Sequence, residues 1–237
     1  MPRTSLNKQA ISDRVNRLSP SGIRKFFDLL ASMEGVISLG VGEPDYATPW
    51  HIRESAIYSM EKGYTMYTSN SGMPELREEL ARHLNGYQNV AYDPKNELLI
   101  TVGVSEALDL AMRAILNPGD EVIMADPCYV AYDSCVILAG GEPVRVPTYQ
   151  KHNFELRAAD VEAAITDKTR AILLGYPANP TGAVMGAAKL AELAEVARRH
   201  NLLVISDEIY ARLVYGVKHT CFASLPGMKE NTILLGG

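Results

Sequence analysis

The sequence predicts a three-layer α/β/α domain on a mostly parallel sheet, from two observations. First, short apolar runs recur at 98–102, 121–125, 143–146, 170–175, 202–206 and 232–235. Most are continuously apolar rather than alternating, the pattern of parallel strands covered on both faces. Second, helical stretches separate several of these runs. The stretch 105–116 places Ala107, Leu108, Ala111, Met112 and Ile115 on one stripe, and 187–200 does the same with Leu190, Leu193, Ala194 and Ala197. Strands alternating with helices build layers of this kind.

The elements before residue 98 read less regularly. Residues 1–20 are polar, mixed in charge and weakly patterned, and read as an arm lying on something else. Ser19-Pro20-Ser21-Gly22 punctuates its end. A helix is expected over 23–33 and a short strand over 36–39, running into the turn-rich Gly40-Val41-Gly42-Glu43-Pro44-Asp45. Thr48 suits an N-cap with Pro49 at the first helical position, and Gly63 suits the residue past that helix's end. Pro74 opens another helix over 75–84. The region before about residue 50 lies outside the strand–helix alternation. The expected division is therefore 1–48, an arm and small-domain segment, and 49–237, the α/β domain.

Composition narrows the function classes. The 237 residues are 47% hydrophobic and 22% charged, enough for a sizeable core. A net charge of −5 offers no basic footprint for nucleic acid and no polybasic membrane patch. It leaves room for a small anion, because a helix N-terminus binds one locally. Three cysteines, Cys128, Cys135 and Cys221, without CxxC or metal-ligand spacing, argue for a reducing compartment and against a disulfide frame or zinc site. The five histidines are scattered and read as surface or satisfied side chains. No N-terminal apolar stretch of about 7–15 residues suggests a signal peptide. No apolar run approaches the about 18 residues that span a bilayer. The expected location is cytoplasmic. GxGxxG and Walker patterns are absent, and no serine–histidine–acid set stands out.

Four places could carry chemistry. Thr101-Val102-Gly103-Val104-Ser105-Glu106 is a strand–glycine–helix junction. Gly103 permits the turn, and the amides of Val104 to Glu106 with the Ser105 hydroxyl would be free to cradle a phosphate. A simple helix cap fits the same residues. Tyr129 follows Asp126-Pro127-Cys128 at a strand end, where it could stack on a flat ring or fill the core. Asp207 follows Val204-Ile205 and should be partly desolvated, which is costly unless it is paired. A cationic ring nitrogen is one partner that fits, and a helix N-cap role is the other reading. Asn179 and Tyr210 could both donate to a phenolic oxygen. They could equally be a turn former and a core side chain. Asp207, Asn179 and Tyr210 all follow apolar strands, and ligands of open α/β sheets bind at that edge.

Order and spacing together carry a resemblance. Asn179-Pro180-Thr181-Gly182 and Ser206-Asp207-Glu208-Ile209-Tyr210 resemble motifs of the class I aminotransferases, pyridoxal 5′-phosphate (PLP) enzymes of fold type I that share the aspartate aminotransferase fold. Likeness runs from about Ser19 to Gly237. Ser19–Asp28, Leu39–Asp45 and Ala125–Tyr132 bring it closest to bacterial aromatic and N-acetyl-LL-diaminopimelate aminotransferases.

The resemblance implies roles position by position. Gly42 matches the backbone contact to the substrate α-carboxylate. Tyr67 matches a tyrosine reaching the PLP phosphate of the neighbouring subunit, so a homodimer is implied. Gly103, Val104 and Ser105 match the phosphate loop, and Tyr129 the ring-stacking place. Asn179 and Tyr210 match groups on the phenolic oxygen, and Asp207 matches the partner of the pyridine nitrogen. Pro127 and Pro180 fall where the family often has cis bonds. The implied activity is transamination between an amino acid and a 2-oxo acid, a transferase of amino acid metabolism. A PLP β-lyase on the same scaffold and a non-catalytic PLP-binding fragment are the alternatives. In the family the Schiff-base lysine follows the strand that matches 232–237, and Lys218 and Lys229 do not match it. The chain is thus expected to end before that lysine and the C-terminal small domain, to be inactive alone, and to expose an unsatisfied strand edge.

Overall fold

A computed structural model describes residues 11–18, 35, 37, 42 and 46–237. The helix expected over 23–33 and the strand expected over 36–39 lie outside the described residues, Ile37 and Gly35 apart. The chain divides into two compact units, Met1–Ser19 with Pro74–Gly237, and Pro20–Met73.

The first described element of the larger unit is a one-turn helix α1 (Asp13–Asn16), capped by the Ser12 hydroxyl. In the smaller unit, helix α2 spans Trp50–Glu61. Its N-cap is Pro49 rather than Thr48, because the extended backbone at Pro49 (ψ 141°) precedes the first helical residue. Gly63 sits past its end with φ +80°, as expected. Helix α3 (Pro74–His83) returns to the larger unit and runs into a π turn at Leu84–Gln88.

The rest is the α/β layer structure. Helix α4 spans Gly103–Ile115, strand β1 Glu121–Asp126, helix α5 Ala131–Ala139 and strand β2 Glu142–Pro147. Helix α6 (Ala158–Ala164), strand β3 (Thr169–Gly175), helix α7 (Ala187–Arg199), strand β4 (Leu203–Asp207) and strand β5 (Thr232–Leu235) follow. The sheet order is β2-β1-β3-β4-β5 and every pairing is parallel.

Alternation along the strands separates two cores. Ile123, Ile172, Leu174 and Val204 pack with Leu190, Leu193 and Ala197 of α7. Val122, Met124, Leu173 and Ile205 pack with Leu108 and Met112 of α4 and Val136 of α5. The centres of β1, β3 and β4 are apolar on both sides because each of their faces meets a helix layer, whereas the edge strand β2 carries Glu142 and Arg145. Burying each such side chain contributes about 1.5–3 kcal/mol. Two arginines tie α1 and the residue after it to this body. Arg14 donates to the Leu138 carbonyl at 3.0 Å, and Arg17 pairs with Glu142.

One expected strand is absent. Residues 98–102 form no ladder, and Leu99 and Val102 are exposed. An apolar run becomes a strand only where a neighbour accepts and donates its backbone hydrogen bonds, and β5, at the sheet edge, pairs only with β4. No helix among the described residues is long and apolar enough to cross a membrane.

Candidate active site

The strand order reverses between β1 and β3: the chain leaves β1 toward β2 on one side, then crosses back to β3 on the other. Ligands of open parallel sheets bind outside the carboxyl ends of the strands at such a reversal. Here the segments that leave β1 and β3 line one recess, with Cys128 and Tyr132 from the first and Gly175 and Asn179 from the second.

Asp207 ends β4, in register with Gly175 of β3 and Leu235 of β5. It is 5% exposed. The Tyr132 hydroxyl donates to its Oδ2 at 2.8 Å, and the Ile209 N–H donates to its Oδ1 at 3.2 Å. Burial lifts the Asp207 carboxyl above its ordinary range, and these two hydrogen bonds oppose the rise only in part. The N-cap reading of Asp207 does not survive, because residues 208–211 form a turn and no helix starts there. The backbone makes a turn of the Asx kind instead.

Tyr132 is the site residue that sequence reasoning missed. Burial, followed by the nearby Asp207 charge, raises its phenol far above the ordinary tyrosine range, so it stays a donor. A Cβ on Gly175 would lie 2.4 Å from its oxygen, so only glycine leaves room for this contact. Tyr129, half-buried, meets Tyr132 edge-on with ring centres 5.7 Å apart and planes at 86°. Cys128 also borders the recess, and burial pushes its thiol up to about 11. It is a packing side chain rather than a thiolate.

The α4 N-terminus reaches the same region. The helix starts at Gly103, two residues before the expected start, because Gly103 takes φ +73° and turns the chain at once. Its N-cap residue, Val102, makes no side-chain capping hydrogen bond. Glu106 reaches back to the Val102 N–H, and the Thr101 hydroxyl donates to the Gly103 carbonyl at 2.8 Å. Gly103 and Ser105 are exposed, which leaves the first-turn amides facing out. Val104 packs in one cluster with Tyr129, Tyr132, Ile205 and Leu235.

Asn179 is exposed in a turn closed by hydrogen bonds from Gly182 to Ala178 (2.8 Å) and from Ala178 to Ala183 (2.9 Å). The bonds preceding Pro127 and Pro180 are cis, and so is Tyr176–Pro177. Tyr210 is half-buried in a turn closed from Ala211 to Glu208 at 2.9 Å. Asp207, Tyr129 and Val104 are thus tied to one another through Tyr132 and its cluster, and Asn179 lines the same recess as Tyr132. Gly103, Ser105 and Tyr210 stand on adjoining turns. Gly42 and Tyr67 belong to the smaller unit, where both are exposed.

A second buried acid adjoins the first. Glu208 is 4% exposed and accepts from the Ser206 hydroxyl (2.8 Å) and the Phe222 N–H (2.9 Å), while its other oxygen meets His219 Nε2 at 2.6 Å. Strand alternation, which puts Ser206 and Glu208 on the face opposite Asp207, could have flagged it.

Residues 34–237 match the family described as aminotransferase class I and II. YugH of Bacillus subtilis (strain 168) is 56% identical over 227 residues, which cover 96% of this chain and 59% of that protein. The aspartate aminotransferase of Pyrococcus abyssi is 45% identical over 229 residues, again 96% and 59%. A crystal structure of an aromatic aminotransferase from Pyrococcus horikoshii OT3 superposes with a TM-score of 0.84 at 43% identity, covering 89% of this chain and 57% of that one. The chain thus spans a little under three fifths of the relatives' length.

Proposed function

Since the chain belongs to the class I and II aminotransferases, whose members depend on PLP, we propose that its protein moves an amino group between an amino acid and a 2-oxo acid. The observation that carries this reading is Asp207, a buried carboxylate with only two donors among the described residues, one strand from the strand-order reversal and joined to the segment leaving β1 through Tyr132. A cationic ring nitrogen beside it would supply the charge that its surroundings lack.

The other groups around that edge fit PLP as well. The first-turn amides of Val104 and Ser105, with the Ser105 hydroxyl, suit a phosphate dianion. Gly103 shapes the turn that aims them. Tyr129 offers a ring face or edge for packing on a flat heterocycle. The Asn179 carboxamide and the Tyr210 hydroxyl are donors suited to a phenolate oxygen. When bound, PLP supplies an electron sink for the substrate's α-carbon. The chain's own residues would hold and polarise it: Asp207 would keep the ring nitrogen protonated, and Tyr132 holds Asp207 in place.

Gly42 is assigned the substrate carboxylate and Tyr67 the phosphate of a neighbouring subunit, in a cytoplasmic homodimer. Residues 1–48 are assigned to an arm and small-domain segment, and 49–237 to the cofactor domain. Two of the relatives named above are an aspartate and an aromatic aminotransferase, so both donor classes belong in the assay.

The test uses the protein expressed from its native gene. With PLP, a 2-oxo acid and aspartate or an aromatic amino acid, the reading expects a new amino acid and the donor's keto acid in equal amounts. Release of ammonia with pyruvate instead would move the assignment to a β-lyase. No PLP-dependent turnover and no PLP binding would overturn it.

A further inference from the structure

Resting on the PLP reading, we propose that Glu208 and His219 act as a positioning pair for Tyr210. Tyr210 lies in a chain excursion between β4 and Phe222 that has little packing of its own. Arg212, Leu213, Tyr215, Gly216, Val217 and Lys218 are all exposed. What fixes this excursion is its base. Glu208 ties into the sheet through its N–H to the Leu235 carbonyl at 2.9 Å, and its own carbonyl accepts from Ala211 at 2.9 Å. That second bond closes the turn in which Tyr210 sits.

The Glu208 carboxylate then joins both ends of the excursion. It takes Ser206 from the strand before it, and His219 and the Phe222 N–H from the segment that returns. The Glu208 side chain is 2% exposed and that of His219 9%. A buried carboxylate with three donors has one low-energy arrangement, because any shift strands a donor or an acceptor. The arrangement fixes the 208–211 turn and so the direction of Tyr210. A second anchor acts farther out, where the Arg212 guanidinium lies 4.1 Å from the centre of the Tyr87 ring.

Asp207 and Glu208 therefore hold the two sides of one strand end. Asp207 faces the cofactor edge. Glu208 faces away and sets where the next donor points. A loss of the His219 contact should swing Tyr210 off the cofactor's phenolic oxygen without touching the cofactor itself.

The experiment uses the full-length protein with PLP and reads the pH midpoint of the bound cofactor's visible absorption, PLP affinity and thermal unfolding. Tyr210→Phe serves as the reference, since losing a donor to a phenolate raises that midpoint. His219→Ala is expected to raise it in the same direction and to weaken PLP binding about tenfold. His219→Gln, which keeps a donor, should restore most of both. A lower unfolding temperature for His219→Ala with an unmoved midpoint and affinity would reduce the pair to a structural contact and overturn the proposal. A shift in Tyr210→Phe alone would do the same. Should the unsubstituted protein bind no PLP, the reading beneath the proposal fails instead.

Discussion

Asp207 and Glu208 are neighbours, both acidic, and both about 95% buried at the end of β4. Their surroundings differ in kind. Glu208 has a hydroxyl, a backbone N–H and an imidazole on its two oxygens. Asp207 has one phenol and one backbone N–H, and burial still holds its carboxyl above the ordinary range. Both belong to the same strand, and alternation sends them to opposite faces. The saturated acid holds the fold together. The under-satisfied acid is left for something that binds. A buried charge short of partners, at the carboxyl end of a strand beside the strand-order reversal, marks the functional group better than burial alone.

Breaking the saturated side should cost most. Glu208→Ala removes the acceptor for three buried or half-buried donors and is expected to destabilise the protein by about 3–5 kcal/mol in denaturant unfolding. A loss under about 1 kcal/mol would mean that the network contributes little to the fold.

Disturbing the support of the under-satisfied side should cost less. Gly175→Ala drives a methyl into the Tyr132 oxygen, and the tyrosine must withdraw from Asp207. About 1–3 kcal/mol of stability should go with it, together with weaker PLP binding. Unchanged stability would show that Tyr132 has another place to go.

The smallest effect has the opposite sign. The Asp207 carboxyl has a raised value in the folded state, so the folded form holds its proton longer than the unfolded one. Stability contributed by this group therefore falls as pH rises from the unfolded value of about 4 through the raised folded value. Above that window the burial of the charge is a standing cost. Asp207→Asn should accordingly raise the unfolding temperature of the cofactor-free protein at neutral pH by a few degrees at most. The gain should vanish below about pH 4. A loss at neutral pH would mean that the Tyr132 and Ile209 hydrogen bonds outweigh desolvation.

This contrast also explains what the sequence could reveal. The runs that became β1 and β3 to β5 were legible because strands buried on both faces are apolar without interruption. Asp207 was legible because an acid directly after such a run stands out. The run at 98–102 had the same local chemistry, yet strand character also needs a partner, which no local pattern reports. Helix α5 was hidden because Ala131–Ala139 is apolar nearly all round and shows no stripe. Tyr132 was unreadable as the partner of Asp207 because 75 residues separate them and only the folded sheet brings them together. His219 and Glu208 pose the same difficulty at shorter range, since an exposed excursion of arbitrary shape lies between them.

The most direct test of the central claim is PLP affinity, measured by fluorescence titration on the full-length protein with Asp207 intact and as Asp207→Asn. The account predicts that PLP binds the intact protein and that the substitution weakens it by about tenfold or more, since a buried charge-assisted contact is lost. Equal affinity for both would contradict it, and Asp207 would then be a structural acid only.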